Sequence, residues 1–557
     1  MKDKKSTNHT ILKKLMSKSR RSKLPREVDF IFLYTFLYKY CSDNIKDFLL
    51  LELKDKELTI DESYRNPAYQ ERISFDSLKL YGYYITKSEA FIDEIVNNNY
   101  SKPGFLPDFL KVFPENVIFS SEYHNLKYFD EFFKAIDDEI DTYEYDNETM
   151  ENICEIIYLI SQLDIFDMDL EFSDVFNILS SSRLSHVSTN PNYITQILSK
   201  LVLSEKKIIE SAYDPFIKDA GTIMKLREEI DYGLSYCYGK DANKLNYFHT
   251  IVKLFINNFS FNNVFLKRED ALDSVDINGA SFDVILSRIP IAIKNYYSSN
   301  INQSREISKR SKRSELENLL LKNFGMDGDS FKLDMELNNA LENLVDKINV
   351  ENELNRDFKG QYEPLQDSEF LFLINLIDAL KDDGIMAVSI SENFLFKNSL
   401  ELLRKYLTYK KNYIDAIIRI PNEISRSRPE VVMVFRKNKP DRNILFIDMS
   451  ANYETQRSEI DYSGLFMKNL ILKDSTIEKM ETVFVNKLTL PKFSNLISID
   501  EIKNNNFNLS VSRYVDTFEG EFISLDELVM EKQDIDSNIN DLNKKIEKMM
   551  DELNISF

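Results

Sequence analysis

Between residues 208 and 447 the chain repeats one arrangement: a short apolar run, a polar turn, then a stretch with helical apolar spacing. The runs are Ile208–Tyr213, Leu234–Tyr238, Asn263–Leu266, Phe282–Leu286, Gly384–Ile390, Tyr413–Ile420, Val431–Arg436 and Ile444–Ile447. Amphipathic segments such as Lys244–Phe259 and Glu369–Leu380 lie between several of them. Runs this short suit strands buried on both faces better than globular helices. Strands alternating with helices predict an α/β architecture with a mostly parallel, doubly wound sheet. Ligands of such sheets bind beyond the carboxyl ends of the strands. The turn directly after each run is therefore where chemistry is expected.

The flanks read differently. From Val28 the spacing is helical: Phe30, Ile31, Leu33, Tyr34, Phe36 and Leu37 crowd one helix, and Phe91, Ile92, Ile95 and Val96 mark another. Strand alternation is not evident up to residue 190, so residues 28–190 read as an all-α domain. Residues 299–360 interrupt the alternation with polar and charged sequence, including Arg305, Lys309, Arg310, Lys312 and Arg313, and read as an insertion at a sheet edge. The stretch Leu525–Leu553 carries a seam of Leu528, Ile535, Ile539, Leu542, Ile546, Met549 and Leu553, broken at Lys532. That pattern predicts a coiled-coil helix whose seam wants a partner. The expected organisation is a basic tail 1–27, a helical domain 28–190, an α/β domain 191–455 with the insertion 299–360, an extension 456–522, and a coiled-coil helix 523–557.

Charge narrows the function classes. The chain of 557 residues has a formal net charge of −21. Taken whole, it is not a non-specific DNA binder, because phosphate attraction needs positive surface. DNA contact must come from local basic patches or from a partner. Residues 1–26 hold ten Lys/Arg and one Asp, which suits either a solvated tail or an arm on nucleic acid. The insertion's basic cluster leaves the same two alternatives. Cys41, Cys154 and Cys237, and His9, His124, His186 and His249, are scattered at no metal-ligand spacing, so no metal site is expected. Sparse, odd cysteines suit reduced thiols. With no apolar run long enough to span a bilayer, a cytoplasmic protein off the membrane is expected.

Four turns stand where a ligand is expected. The first run ends Tyr213-Asp214-Pro215-Phe216-Ile217-Lys218-Asp219-Ala220-Gly221-Thr222 and passes straight into a helical stretch. A loop of this kind holds a nucleotide-like ligand when it is rich in glycine, and only Gly221 is present. The second run ends Tyr238-Gly239-Lys240-Asp241. Asp241 there either accepts two ribose hydroxyls or caps the next helix. Asp270, after the third run, either faces an adenine amino group or simply ends a strand. The fourth run continues Ser287-Arg288-Ile289-Pro290-Ile291, a buried strand entering a turn with one proline.

In this order the pieces resemble the modification subunit of type I restriction systems, within the adenine-N6 DNA methylases. The family's first motif reads roughly Asp-Pro-Ala-Cys-Gly-Ser-Gly-Gly. Asp214, Pro215 and Gly221 match it in register, while Lys218 and Ala220 fall where glycines are expected. The segment ending at Asp241 resembles the motif whose acid holds the ribose of S-adenosylmethionine, and Asp270 matches the next acid. Phe282–Leu286 matches the strand before the catalytic tetrad, Asn-Pro-Pro-Phe or Asn-Pro-Pro-Tyr. Here the tetrad is Arg288-Ile289-Pro290-Ile291. Leu80–Thr86, Ser188–Pro191, Gly384–Phe396, Tyr413–Pro421 and Asn506–Val515 also look like family segments, so the resemblance covers about residues 75 to 550.

The resemblance implies a Rossmann-like methyltransferase domain over 191–455, S-adenosylmethionine as cofactor, DNA as substrate, and a specificity-subunit-like coiled-coil protein or a second copy as partner. It places the cofactor at Asp214, Pro215, Gly221, Asp241 and Asp270, and catalysis at Arg288, Ile289, Pro290 and Ile291. In the family the tetrad's Asn and the carbonyl beside it accept hydrogen bonds from the adenine amine, and its aromatic residue stacks on the flipped base. Arg288 has donors only, Ile289 replaces a stiffening proline, and Ile291 offers no aromatic face. If residues 218 and 220 need positive φ, a non-glycine residue there costs on the order of 1 kcal/mol or more. Weak or absent S-adenosylmethionine binding is therefore expected, and the leading expectation is a pseudo-methyltransferase that keeps the scaffold and its assembly surfaces. The alternatives are a working adenine-N6 methyltransferase with a divergent tetrad, and a protein-docking scaffold without DNA contact.

Overall fold

The structure is a computed structural model of the chain. It describes residues 10–15, 17–18, 24–25, 27–54, 58–120, 125–140, 145–164, 192–230, 234–269, 281–289, 371–421, 429–452, 454–457, 468–517 and 525–552, with a few isolated positions besides. Asp270, Pro290, Ile291, fifteen of the 27 residues of the basic tail and the whole insertion 299–360 lie outside the described residues, while Ile11, Leu12 and Leu15 of that tail are buried in the core.

The N-terminal part is built on the long helix Val28–Leu53, which is buried along most of its length. The helix Pro67–Tyr81 starts where Asn66 accepts from the Ala68 amide with proline at the first turn, and it ends at Gly82 in the left-handed conformation. The expectation of an all-α domain needs one correction. Strands β1 (Tyr83–Ile85) and β2 (Val117–Phe119) form a small antiparallel ribbon. Three residues each are too short for alternation to register in the sequence.

An aromatic cluster fills this part's core. Tyr34 meets Phe109 and Phe113 edge-on, and Tyr38 stacks on Phe113 at 4.6 Å. The Tyr34 hydroxyl also repairs a helix. Pro114 lies inside Phe105–Asn116 and cannot donate to the Leu110 carbonyl four residues back. Tyr34 Oη donates toward the Leu110 and Phe109 carbonyls, at 2.9 and 3.0 Å, and accepts from the Phe113 amide at 3.2 Å.

All eight apolar runs contribute strands to one sheet: β3 (Ser211–Asp214), β4 (Tyr236–Lys240), β5 (Val264–Lys267), β6 (Phe282–Arg288), β7 (Leu380–Ser391), β8 (Ile414–Arg419), β9 (Glu430–Arg436) and β10 (Ile444–Asp448). After a small separate ribbon of β11 (Glu454–Arg457) and β12 (Lys468–Ile471), a ninth strand, β13 (Ser494–Ile497), joins at the edge. The order is β13-β10-β8-β9-β7-β6-β3-β4-β5. Only β9 and β13 run antiparallel to the rest. The sheet therefore reaches into the segment read as an extension, 456–522.

Strand residues alternate between two cores, as the two-residue period of a strand requires. Val284, Leu286, Ala416 and Ile418 face helices Asn192–Glu205 and Asp474–Asn486 and the N-terminal part. Ile285, Met386, Ile417 and Met433 face Leu371–Asp378 and the segment 400–407. The N-terminal part docks on the β5 edge through Tyr128. Its hydroxyl donates to the Val264 carbonyl and accepts from the Leu266 amide, both at 3.1 Å, so one side chain satisfies an edge that would otherwise invite another strand.

Candidate functional site

From β3 the chain moves outward to β4 and β5, then returns to the other side of β3 as β6. The carboxyl ends of β3 and β6 thus flank the topological switch point, the general ligand crevice of open α/β sheets. Asp214, Pro215, Gly221, Asp241, Arg288 and Ile289 all come to this end of the sheet.

Asp214 closes β3 and is fully buried. Its Oδ1 accepts from the Phe216 amide at 3.0 Å and from Ser287 Oγ at 2.6 Å, and its Oδ2 accepts from the Thr222 hydroxyl. Burial raises its carboxyl above the usual range, against those three donors and the nearby Lys218 charge. Asp241, also buried, accepts from the amides of Lys218 (3.2 Å) and Asn243 (2.8 Å) and from Asn246 Nδ2 (3.2 Å). The cap of the following helix is Asn243, which accepts from the Asn246 amide at 2.9 Å. Asp241 instead braces the loop that follows β3 from one side and the turn before the helix from the other.

The loop itself is packed solid. Residues 211–220 are all buried. Ile217 lies so close to Gly239 of β4 that a Cβ there would stand 2.4 Å from its Cδ1, which is why glycine occupies that strand position. Lys218 and Ala220 hold the left-handed conformation, with φ of 50° and 57°. The turn demands that backbone because Ile217 donates to the Lys240 carbonyl and Ala220 to the Ile217 carbonyl. Thr250 Oγ1 fixes the Lys218 carbonyl at 2.5 Å, and Asp219 accepts from the Gly221 amide while pairing with Lys253 at 3.4 Å.

The Lys218 side chain crosses the crevice. Only 2% of the residue is exposed, and its Nζ donates to the Arg288 carbonyl at 2.9 Å. Burial, reinforced by the Arg288 charge and opposed by Asp214, Glu430 and Asp219, pushes the ammonium down to about 8. The Arg288 guanidinium points to the other side. Its Nε and Nη2 grip the Glu430 carboxylate at 3.0 and 2.6 Å, and Ser389 Oγ adds a 2.7 Å bond to the same carboxylate. Arg288 pairs with Ser389 in the β6–β7 ladder, and the Ile289 amide donates to the Ser389 carbonyl, so strand geometry runs through the tetrad's first two positions.

Glu430, Ser287 and Thr222 escaped the sequence reading. Glu430 left one trace: a carboxylate opening an otherwise apolar strand must find a cation. Which cation was a tertiary matter. Among the described residues, no group of three or more His, Cys, Asp or Glu gathers as a metal site, and no helix is long and apolar enough to cross a membrane.

A helical N-terminal part on a mixed, mostly parallel nine-strand sheet, with its acids and tight loop at the switch point, defines a methyltransferase-like fold. A type I restriction-modification methyltransferase subunit from Streptococcus thermophilus superposes with a TM-score of 0.64 at 18% identity, over 92% of this chain and 99% of that one. A chain from a structure of type I restriction-modification complex assembly and conformational transition matches with a TM-score of 0.50 at 12% identity, over 99% of both. Such identities speak to the fold alone.

Sequence similarity carries the relationship further. Residues 332–521 match the N-6 DNA methylase family. The methylase subunit of the type I restriction enzyme MpnII from Mycoplasma pneumoniae is 21% identical over 69% of this chain and 66% of its own length. That of MjaVII from Methanocaldococcus jannaschii is 28% identical over 35% of this chain and 32% of its own. The chain is thus a homologue of type I restriction-modification methylase subunits, spanning just under two thirds of the first of them and about a third of the second. The family match begins after β6, so the loops at Asp214, Lys218 and Arg288 lie outside it.

Proposed function

We propose that this chain serves as the methylase-type subunit of a DNA-modification assembly, with its own methyl transfer impaired. The observation that carries this reading is the pair of contacts at Arg288. Its carbonyl receives the Lys218 ammonium, and its guanidinium is held by Glu430. A guanidinium cannot accept from an exocyclic amine, and the carbonyl beside it already has a cation for a donor. S-adenosylmethionine would bring a second cation to the same crevice. The carboxylates best suited to hold it, Asp214 and Asp241, each accept three hydrogen bonds within the protein. These residues, as arranged, do not fit the cofactor. In this reading Asp214, Pro215, Gly221, Asp241 and Asp270 keep the cofactor positions in outline, and Arg288, Ile289, Pro290 and Ile291 occupy the catalytic ones without their chemistry. DNA is reached through the assembly, whose coiled-coil partner is a specificity-subunit-like protein or a second copy.

The comparisons, taken alone, favour a second reading. The matching family is described as N-6 DNA methylase, and the relatives are named methylase subunits. On that reading the chain is an active adenine-N6 methyltransferase with a divergent tetrad. Calorimetric titration of S-adenosylmethionine into the purified chain, followed by an adenine-methylation assay on duplex DNA, separates the two. The first reading expects no saturable heat and no methylation. Micromolar binding with methylation would install the second. A docking scaffold that touches no DNA would leave the protein partner bound while salt-sensitive DNA binding is missing.

A further inference from the structure

We infer that Lys218 is a built-in plug of the switch-point crevice, occupying with its own side chain the place a ligand would take between the ends of β3 and β6. The inference deepens the reading of an impaired cofactor site and rests on it. Three observations support it. The crevice at the switch point is the place where sheets of this order bind ligands, and the Lys218 side chain crosses it from the loop after β3 to the last carbonyl of β6. The acceptor is rigid, since Arg288 lies in the ladder with β7 and the Ile289 amide is tied to Ser389. The plug is held at its root as well: the Lys218 amide donates to Asp241 and its carbonyl accepts from Thr250.

A lysine is a costly residue for mere filling. Its φ of 50° is a conformation that glycine adopts freely and other residues do not. Its ammonium is withdrawn from water with 2% of the residue exposed. An apolar side chain would fill the same space without burying a charge. A cation reaching a backbone carbonyl across a ligand crevice instead takes up both its space and its acceptor.

The test is ligand binding by variants of the full chain, using S-adenosylmethionine and the uncharged S-adenosylhomocysteine as probes in calorimetric titrations. Lys218→Gly combined with Ala220→Gly removes the plug and relieves both left-handed positions. Lys218→Ala removes the plug alone and serves where the double variant fails to fold. Arg288→Asn leaves the plug in place. The expected result is binding by the plug-free variants at least ten-fold tighter than by the parent chain, with no gain in Arg288→Asn. Binding of S-adenosylhomocysteine only would assign the residual barrier to local positive charge, with the plug still displaced. A plug-free variant that melts with the parent chain and binds neither probe overturns the inference while leaving the impaired-methylase reading standing. Tight binding by the parent chain itself would overturn both.

Discussion

Lys218 is the residue on which the proposed reading of the switch-point loop turns. Asp214 anchors the turn after β3, and the Lys218 ammonium ties that loop to the last carbonyl of β6. Its titration gives a test independent of any ligand. An ammonium pushed down to about 8 loses its proton in the folded chain before the unfolded chain does, whose lysines titrate near 10.4. Between those values the unfolded state binds more protons, so this group makes stability rise with pH across that window. Lys218→Met should flatten that rise by on the order of 1–3 kcal/mol, read as the difference between the two chains in denaturant melts at about pH 7.5 and about pH 9.5. Identical pH profiles would mean that Lys218 is not titrating there. Arg288 is the second deciding residue. Its pairing with Glu430, 142 residues away, makes the carboxylate's burial tolerable.

Elements are held here by side chains that substitute for missing backbone partners. The helix Phe105–Asn116 survives Pro114 because Tyr34 supplies the donor that proline lacks. Tyr34→Phe keeps the aromatic packing but leaves the Leu110 carbonyl and the Phe113 amide without that hydroxyl. Unsatisfied buried groups cost about 1–3 kcal/mol, so a fall in the unfolding free energy of that size is expected, and a change below about 0.5 kcal/mol would refute the repair role. Tyr128 does comparable service at the β5 edge, which also explains why the N-terminal part sits on that side of the sheet.

At the scale of the whole molecule, the helix Leu525–Glu552 is the open question of assembly. It spans 28 residues, and Val529, Met530, Ile535, Ile539, Leu542 and Ile546 are 46 to 69% exposed along it. An apolar stripe left in water on a helix this long is expected to pair with another helix. The double substitution Ile539→Lys and Leu542→Lys should leave the melting temperature unchanged, because neither side chain is part of a core, while abolishing the helix pairing proposed for this seam, read by sedimentation velocity with the specificity-subunit-like protein or a second copy. A variant that still pairs would remove the seam from the account. The net charge of −21 argues against direct, non-specific phosphate attraction by the acidic body of this chain.

Local chemistry decided much of this protein by itself. The apolar runs from Ile208 to Ile447 suited strands better than helices and each contributes one, Asn66-Pro67 and Gly82 bound a helix by capping and by positive φ, and the Leu525–Glu552 segment reads as helix from its spacing. The fitness of residues 218 and 220 for glycine was legible from the motif register, and the backbone there is indeed left-handed. Other features left no local trace. That β9 runs antiparallel between β7 and β8, and that β13 closes the sheet, are matters of pairing between distant segments. Asp241 could read as ribose ligand or helix cap, and only packing made it the brace of the Lys218 loop while Asn243 took the cap. The contacts that shape the site, Lys218 to Arg288 and Arg288 to Glu430, join residues 70 and 142 positions apart. Such pairings follow from which strand ends the sheet brings together. Tertiary structure alone decides that, because a side chain's partner in a parallel sheet is set by strand order, which no short stretch of sequence encodes.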